Sequence, residues 1–64
     1  MAIKVKNHLS EVGIYLDVSQ SVSRYESVSA IESSRYLHHS LDKVLLELGN
    51  GELVYVKRDD LESF

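Results

Sequence analysis

No cysteine occurs among the 64 residues, so disulfides are excluded, and with them any zinc site built on thiolates. Tryptophan and proline are absent as well, phenylalanine occurs once and glycine three times. Long apolar runs are also missing. No stretch approaches the roughly 18 uninterrupted apolar residues of a membrane span, and Met1-Ala2-Ile3-Lys4-Val5-Lys6 has no apolar segment after its charges, as a secretory leader requires. The expected location is the cytoplasm, with no membrane partner. An excess of positive charge is lacking too: the formal net charge is −3, which gives no general attraction to nucleic acid or anionic lipid and is too small to suggest a mimic of DNA.

A chain this short buries only about 60% of the surface its unfolded form exposes, which makes a thin core. Small domains supplement such a core with disulfides, a structural metal or self-association. With thiol chemistry excluded, self-association is the remaining candidate.

The most clearly specified local structure is at residues 44–57, two apolar runs folded back at Asn50-Gly51. Asn-Gly tolerates the positive φ that a type I′ turn needs at both central positions, so the stretch reads as a β-hairpin. That turn sets Leu48 against Leu53, Leu46 against Tyr55 and Val44 against Lys57 on one side, with Glu47 against Val54 and Leu45 against Val56 on the other. A rival reading continues a helix through Leu37, Leu41, Val44, Leu45 and Leu48 to Gly49 as its C-terminal cap. The hairpin is preferred because it gives residues 53–56 a partner.

Upstream, residues 3–6 alternate apolar and basic side chains and read as a short strand, while Val12, Ile14, Leu16 and Val18 follow at period two and predict a second strand over 11–18. Together they suggest an N-terminal hairpin. Gly13 within it marks a bulge or a close approach by another backbone. Residues 19–40 hold eight serines and neither glycine nor proline. Ser23-Arg24-Tyr25-Glu26 matches a capping box, and Tyr25, Val28 and Ile31 follow at helical spacing, so a helix is predicted over about 24–38. At the end, Asp59 is placed to cap one helical turn that folds Leu61 and Phe64 onto the sheet. The fold class is therefore α+β, a single domain with a single-layer antiparallel sheet of two hairpins and one central helix in β-β-α-β-β order.

Motifs for catalysis are weak. Ser40-Leu41-Asp42-Lys43 has a Ser-x-x-Lys spacing used by some acyl-transfer enzymes, but those need a large scaffold and further motifs, and Ser40 is better read as a turn residue. His38-His39 are adjacent, so their side chains diverge on helix or strand and do not chelate as an i, i+4 pair would; His8 supplies no third ligand that the pattern specifies. No enzyme activity, cofactor or metal is expected.

One helix cannot cover both faces of residues 44–56, and the uncovered apolar residues call for a second copy or another protein. A non-enzymatic protein-binding module is the leading expectation, acting as a homodimer or as a small regulator or inhibitor of a larger protein, with Leu45, Val54, Val56, Tyr15 and Tyr55 at the interface. Tyrosine suits this use because it joins a large apolar face to a polar tip. The alternative is a nucleic-acid-binding regulator in which Lys4, Lys6, Lys57 and Arg58 share one region of the sheet and Tyr55 or Tyr15 stacks on a base.

Overall fold

Apolar side chains at alternate positions mark strands at residues 14–17, 43–47 and 53–57, and the remaining strand segments form by pairing with these or with one another. In the computed structural model, which describes residues 3–18 and 22–63, they form β1 (Lys4–Val5), β2 (Ile14–Asp17), β3 (Ser23–Glu26), β4 (Arg35–His39), β5 (Lys43–Glu47), β6 (Leu53–Lys57) and β7 (Leu61–Ser63). A short helix, α1 (Val28–Glu32), stands between β3 and β4, and 3-10 turns occupy Asn7–Leu9 and Arg58–Asp60. The strands pair antiparallel as β1 with β7, β2 with β3, and β4-β5-β6. Antiparallel sheets with one short helix are thus present, but in three sheets rather than one layer of two hairpins.

The hairpin β5–β6 forms where expected, with a register one residue away from the expected one. Val44 pairs with Val56, Leu46 with Val54 and Leu45 with Tyr55. The loop has three residues: Leu48 N–H donates to Glu52 O at 2.8 Å, and Gly51 N–H donates to Leu48 O at 2.9 Å. Gly51 takes the left-handed conformation at φ +87°, and Asn50 does not, so the connection is a turn followed by a glycine bulge rather than a type I′ turn. A one-residue slip exchanges the faces of a strand. Here it gathers Val44, Leu46, Leu48, Val54 and Val56 on the buried side and leaves Lys43, Leu45, Leu53, Tyr55 and Lys57 outward.

The expected central helix is mostly strand. Residues 23–26 lie against β2, pairing Tyr25 with Tyr15 and Arg24 with Leu16, and residues 35–39 lie against β5. Helix survives where Val28 and Ile31, three apart, both reach the core. Its cap is Ser27 rather than Ser23: the Ser27 hydroxyl accepts from Ala30 N–H at 3.2 Å. At the other end the Ser33 hydroxyl donates to Ser29 O at 2.8 Å and the Ser34 hydroxyl donates to Ile31 O, competing with the backbone ladder and ending the helix after little more than one turn.

The N-terminal hairpin is replaced as well. β1 pairs with β7, setting Lys4 against Ser63, and β2 pairs with β3. The helix secures β1 through its own carboxylate, since Val5 N–H donates to Glu32 Oε2 at 3.0 Å. Gly13 does meet another backbone: its φ is +87°, and a Cβ there would lie 2.7 Å from both Glu26 O and Tyr25 Cε1. Val12, expected to share the inner face of β2, lies before the strand and is exposed, whereas Ile14 and Leu16 are buried. The segment 58–60 is a 3-10 turn followed by strand, not an Asp59-capped α-turn; Leu61 is buried by it, and Phe64 and residues 19–21 lie outside the described residues.

Ile3, Val5 and Leu61 from the paired chain ends join the inward residues of β2, α1, β5 and β6 in one apolar cluster. No polar or charged side chain is buried among the described residues. At the rim of the cluster, Arg24 on the inner side of β3 bonds Glu26, at 2.8 Å, and Glu52 at the tip of the β5–β6 hairpin. The bond from Arg24 holds the Glu52 carboxyl below its ordinary range and raises the guanidinium further above its own.

Candidate protein interface

Outward residues of paired strands share a face, so the registers determine which expected site residues meet. Tyr15 and Tyr25 are cross-strand partners on the outside of β2 and β3, edge to face at 6.1 Å between ring centroids. Both stand mostly exposed, Tyr15 at 63%. This favours a role for Tyr25 at the surface rather than in a helical apolar stripe. β2 lies alongside β6 without a ladder between them. On the outside of β6 sit Leu53, Tyr55 and Lys57, and beside them on β5 Lys43, Leu45 and Glu47.

Two shallow hollows occupy the seam between β2 and β6. One, of about 300 Å³, is lined by Tyr55, Lys43, Asp42 and Asp59 together with Asp17 and Lys57. The other, of about 420 Å³, is lined by Tyr15, Ser23 and again Asp17 and Lys57. Asp17 and Lys57 line both, with Tyr55 in the first and Tyr15 in the second. Lys43 Nζ lies 5.6 Å from the centroid of the Tyr55 ring, within cation–π range, which holds that ring from one side. Both hollows are open grooves rather than enclosed cavities.

Of the five residues expected at a protein interface, Tyr15, Tyr55 and Leu45 lie on this outer surface, Leu45 half-buried beneath its neighbours. Val54 and Val56 do not. They point inward at 1% and 0% exposure because the three-residue loop turns their face to the core, and they cannot touch a partner. Leu53, on the Tyr55 side of β6, is 55% exposed. Alternation along residues 53–57 was a readable signal for this, once Gly49-Asn50-Gly51 is taken as the loop.

The four basic residues of the nucleic-acid reading fall on β1, just after it, at the end of β6 and in the 3-10 turn that follows. Lys4 is on β1 against β7, and Lys6 N–H bonds Asp60 O. Lys57 faces the seam among Asp17, Asp42 and Asp59. Arg58 N–H bonds Asp42 O from the following 3-10 turn. Three acidic residues, Asp17, Asp42 and Asp59, line the same hollow as Lys57. His38 and His39 lie at the end of β4 and His8 in the first 3-10 turn; among the described residues no group of three or more His, Asp or Glu is placed to hold a metal ion. Ser40 and Lys43 close the β4–β5 hairpin, where Ser40 N–H donates to Lys43 O at 2.9 Å. No helix among the described residues is long and apolar enough to cross a membrane.

No family model, curated protein or solved structure matches the chain.

Proposed function

We propose that this chain is a non-enzymatic protein-binding module that pairs with a second copy of itself through the outer surface of β3, β2, β6 and β5. The observation that carries this reading is that Tyr15, Tyr25, Tyr55 and Leu53 all stand exposed on strand exteriors while the core beneath is complete without them. Tyrosines side by side on an exposed sheet supply large contact area at little entropic cost.

The charges of the same surface favour a like partner. Asp17 and Glu47 are interspersed with Lys43 and Lys57, so a two-fold pairing can set acidic groups of one copy against basic groups of the other. A standard interface takes about 800 Å² per partner, roughly a fifth of the 4322 Å² surface. A sheet exterior supplies that area, and a single loop does not.

Sedimentation equilibrium at micromolar concentration tests the reading. The expected result is a dimer that becomes a folded monomer when Tyr15→Ser and Tyr55→Ser are combined. A monodisperse, thermally stable monomer of the unaltered chain would overturn it.

A further inference from the structure

We infer that Asn50 is a site of covalent self-modification: the backbone nitrogen of Gly51 attacks the Asn50 side chain, and water then leaves aspartate or isoaspartate at the tip of the β5–β6 hairpin. The reaction belongs to the loop joining those strands and is independent of the pairing with a second copy.

Two asparagines occur in the chain, Asn7 and Asn50. The backbone nitrogen of the next residue can close a succinimide ring on an asparagine side chain, and a Cβ on that residue stands in its way. Asn7 is followed by His8, whereas Asn50 is followed by Gly51, which has no Cβ. Asn50 is exposed, and apart from its chain neighbours no residue lies within 4 Å of where a Cβ on Gly51 would stand. Nothing crowds the ring as it forms.

The Gly51 nitrogen gives its proton to base and forms a bond to Asn50 Cγ, and the Cγ–Nδ2 bond breaks with release of ammonia. Water then opens the succinimide. Attack at Cγ restores the original main chain and yields aspartate; attack at the main-chain carbonyl yields isoaspartate. Water is the only co-reactant, and nothing is oxidised or reduced.

The fold restrains both reacting groups. Gly51 N–H donates to Leu48 O at 2.9 Å, which occupies the proton that must leave. Asn50 Oδ1 accepts from Glu52 N–H at 3.0 Å, which ties the carboxamide to the far side of the loop. Ring closure requires both bonds to release, so the reaction waits on local opening. Two hydrogen bonds of ordinary net strength make the folded chain slower than the unfolded one by roughly tenfold or more.

The products differ in what they do to the hairpin. Aspartate keeps an oxygen that can accept from Glu52 N–H. Isoaspartate carries the main chain through Cβ and Cγ, which adds an atom to the loop that Leu48 N–H closes on Glu52 O at 2.8 Å, and so displaces Glu52 from its bond with Arg24. Both products add a negative charge to a chain already at −3.

The experiment incubates the full chain in mildly alkaline buffer, folded and in guanidinium chloride, and samples it by mass spectrometry after brief cleavage at lysine and arginine. Cleavage after Lys43 and Lys57 isolates residues 44–57, and cleavage after Lys6 and Arg24 isolates the fragment with Asn7. The expected result is acid in the 44–57 fragment as a mixture of isoaspartate and aspartate, an Asn7 fragment that stays amide over the same period, and conversion of Asn50 faster by about tenfold or more in denaturant. Gly51→Ala should slow conversion in guanidinium chloride, where its cost to the fold plays no part. An Asn50 that stays amide in denaturant, aspartate as the sole product, or equal rates in the folded and unfolded chain would each overturn the inference.

Discussion

β4 and β6 flank the same strand, have the same length and both run antiparallel to β5, yet they spend their side chains in opposite ways. β6 turns Val54 and Val56 into the core and shows Leu53, Tyr55 and Lys57 outside. β4 turns nothing into the core. Its side chains bond one another and β5 instead: the Tyr36 hydroxyl is hydrogen-bonded to His39 Nδ1, and Arg35 meets Glu47. β6 is constrained twice, once by the apolar cluster and once by the surface it presents.

Truncating the core beneath that sheet should break the comparison most visibly. Leu46→Ala, at a fully buried position opposite Val54, should cost about 3 kcal/mol, a large part of the stability of so small a domain, and urea unfolding followed by circular dichroism measures it. Gly51→Ala comes next. Space around Gly51 is open, but φ is +87°, so the substitution should cost about 1 kcal/mol through the backbone alone, read from the same urea midpoint.

Smaller still is the contribution of the Arg24–Glu52 bond, which ties the start of β6 to β3. The hydrogen bond from Arg24 lowers the Glu52 pKa from its ordinary value of 4.5. A depressed carboxylate stabilises the fold above its unfolded pKa and loses that contribution as pH falls through the folded value. Glu52→Gln should therefore weaken the protein above about pH 4.5 and match the unaltered chain in more acid solution; thermal midpoints measured across pH 2.5–7 check this. An equal deficit at every pH would assign the loss to packing. The smallest effect is expected on β4, where Leu37→Ala should change stability by less than about 0.5 kcal/mol. A loss near that of Leu46→Ala would show that β4 serves the core after all.

The contrast also explains what could be read from residues alone. The β5–β6 hairpin was legible because its turn chemistry and its alternation are local. Its register was misjudged because glycine flanks Asn50 on both sides and permits two loops, and the choice falls to the one that puts Val44, Leu46, Leu48, Val54 and Val56 on a single face. The strands at 23–26 and 35–39 were hidden by Tyr25, Val28 and Ile31, whose helical spacing spans a strand, a cap at Ser27 and a single turn of helix. Pairing of β1 with β7 involves residues at opposite ends of the chain, which no local pattern can announce. Among the residues expected at an interface, Tyr15 and Tyr55 were readable as outward positions or as amphipathic side chains, whereas Val54 and Val56 changed sides with the register.

That terminal pairing also has a kinetic meaning. Lys4 against Ser63 closes a loop of almost the whole chain, and the entropy of such closure grows with its length, whereas the β5–β6 hairpin closes over three residues. Long-range contacts form late. We expect β1 and β7 to act as a clasp that shuts on an already folded body, so that Val5→Ala hastens unfolding in stopped-flow measurements and leaves the folding rate nearly untouched.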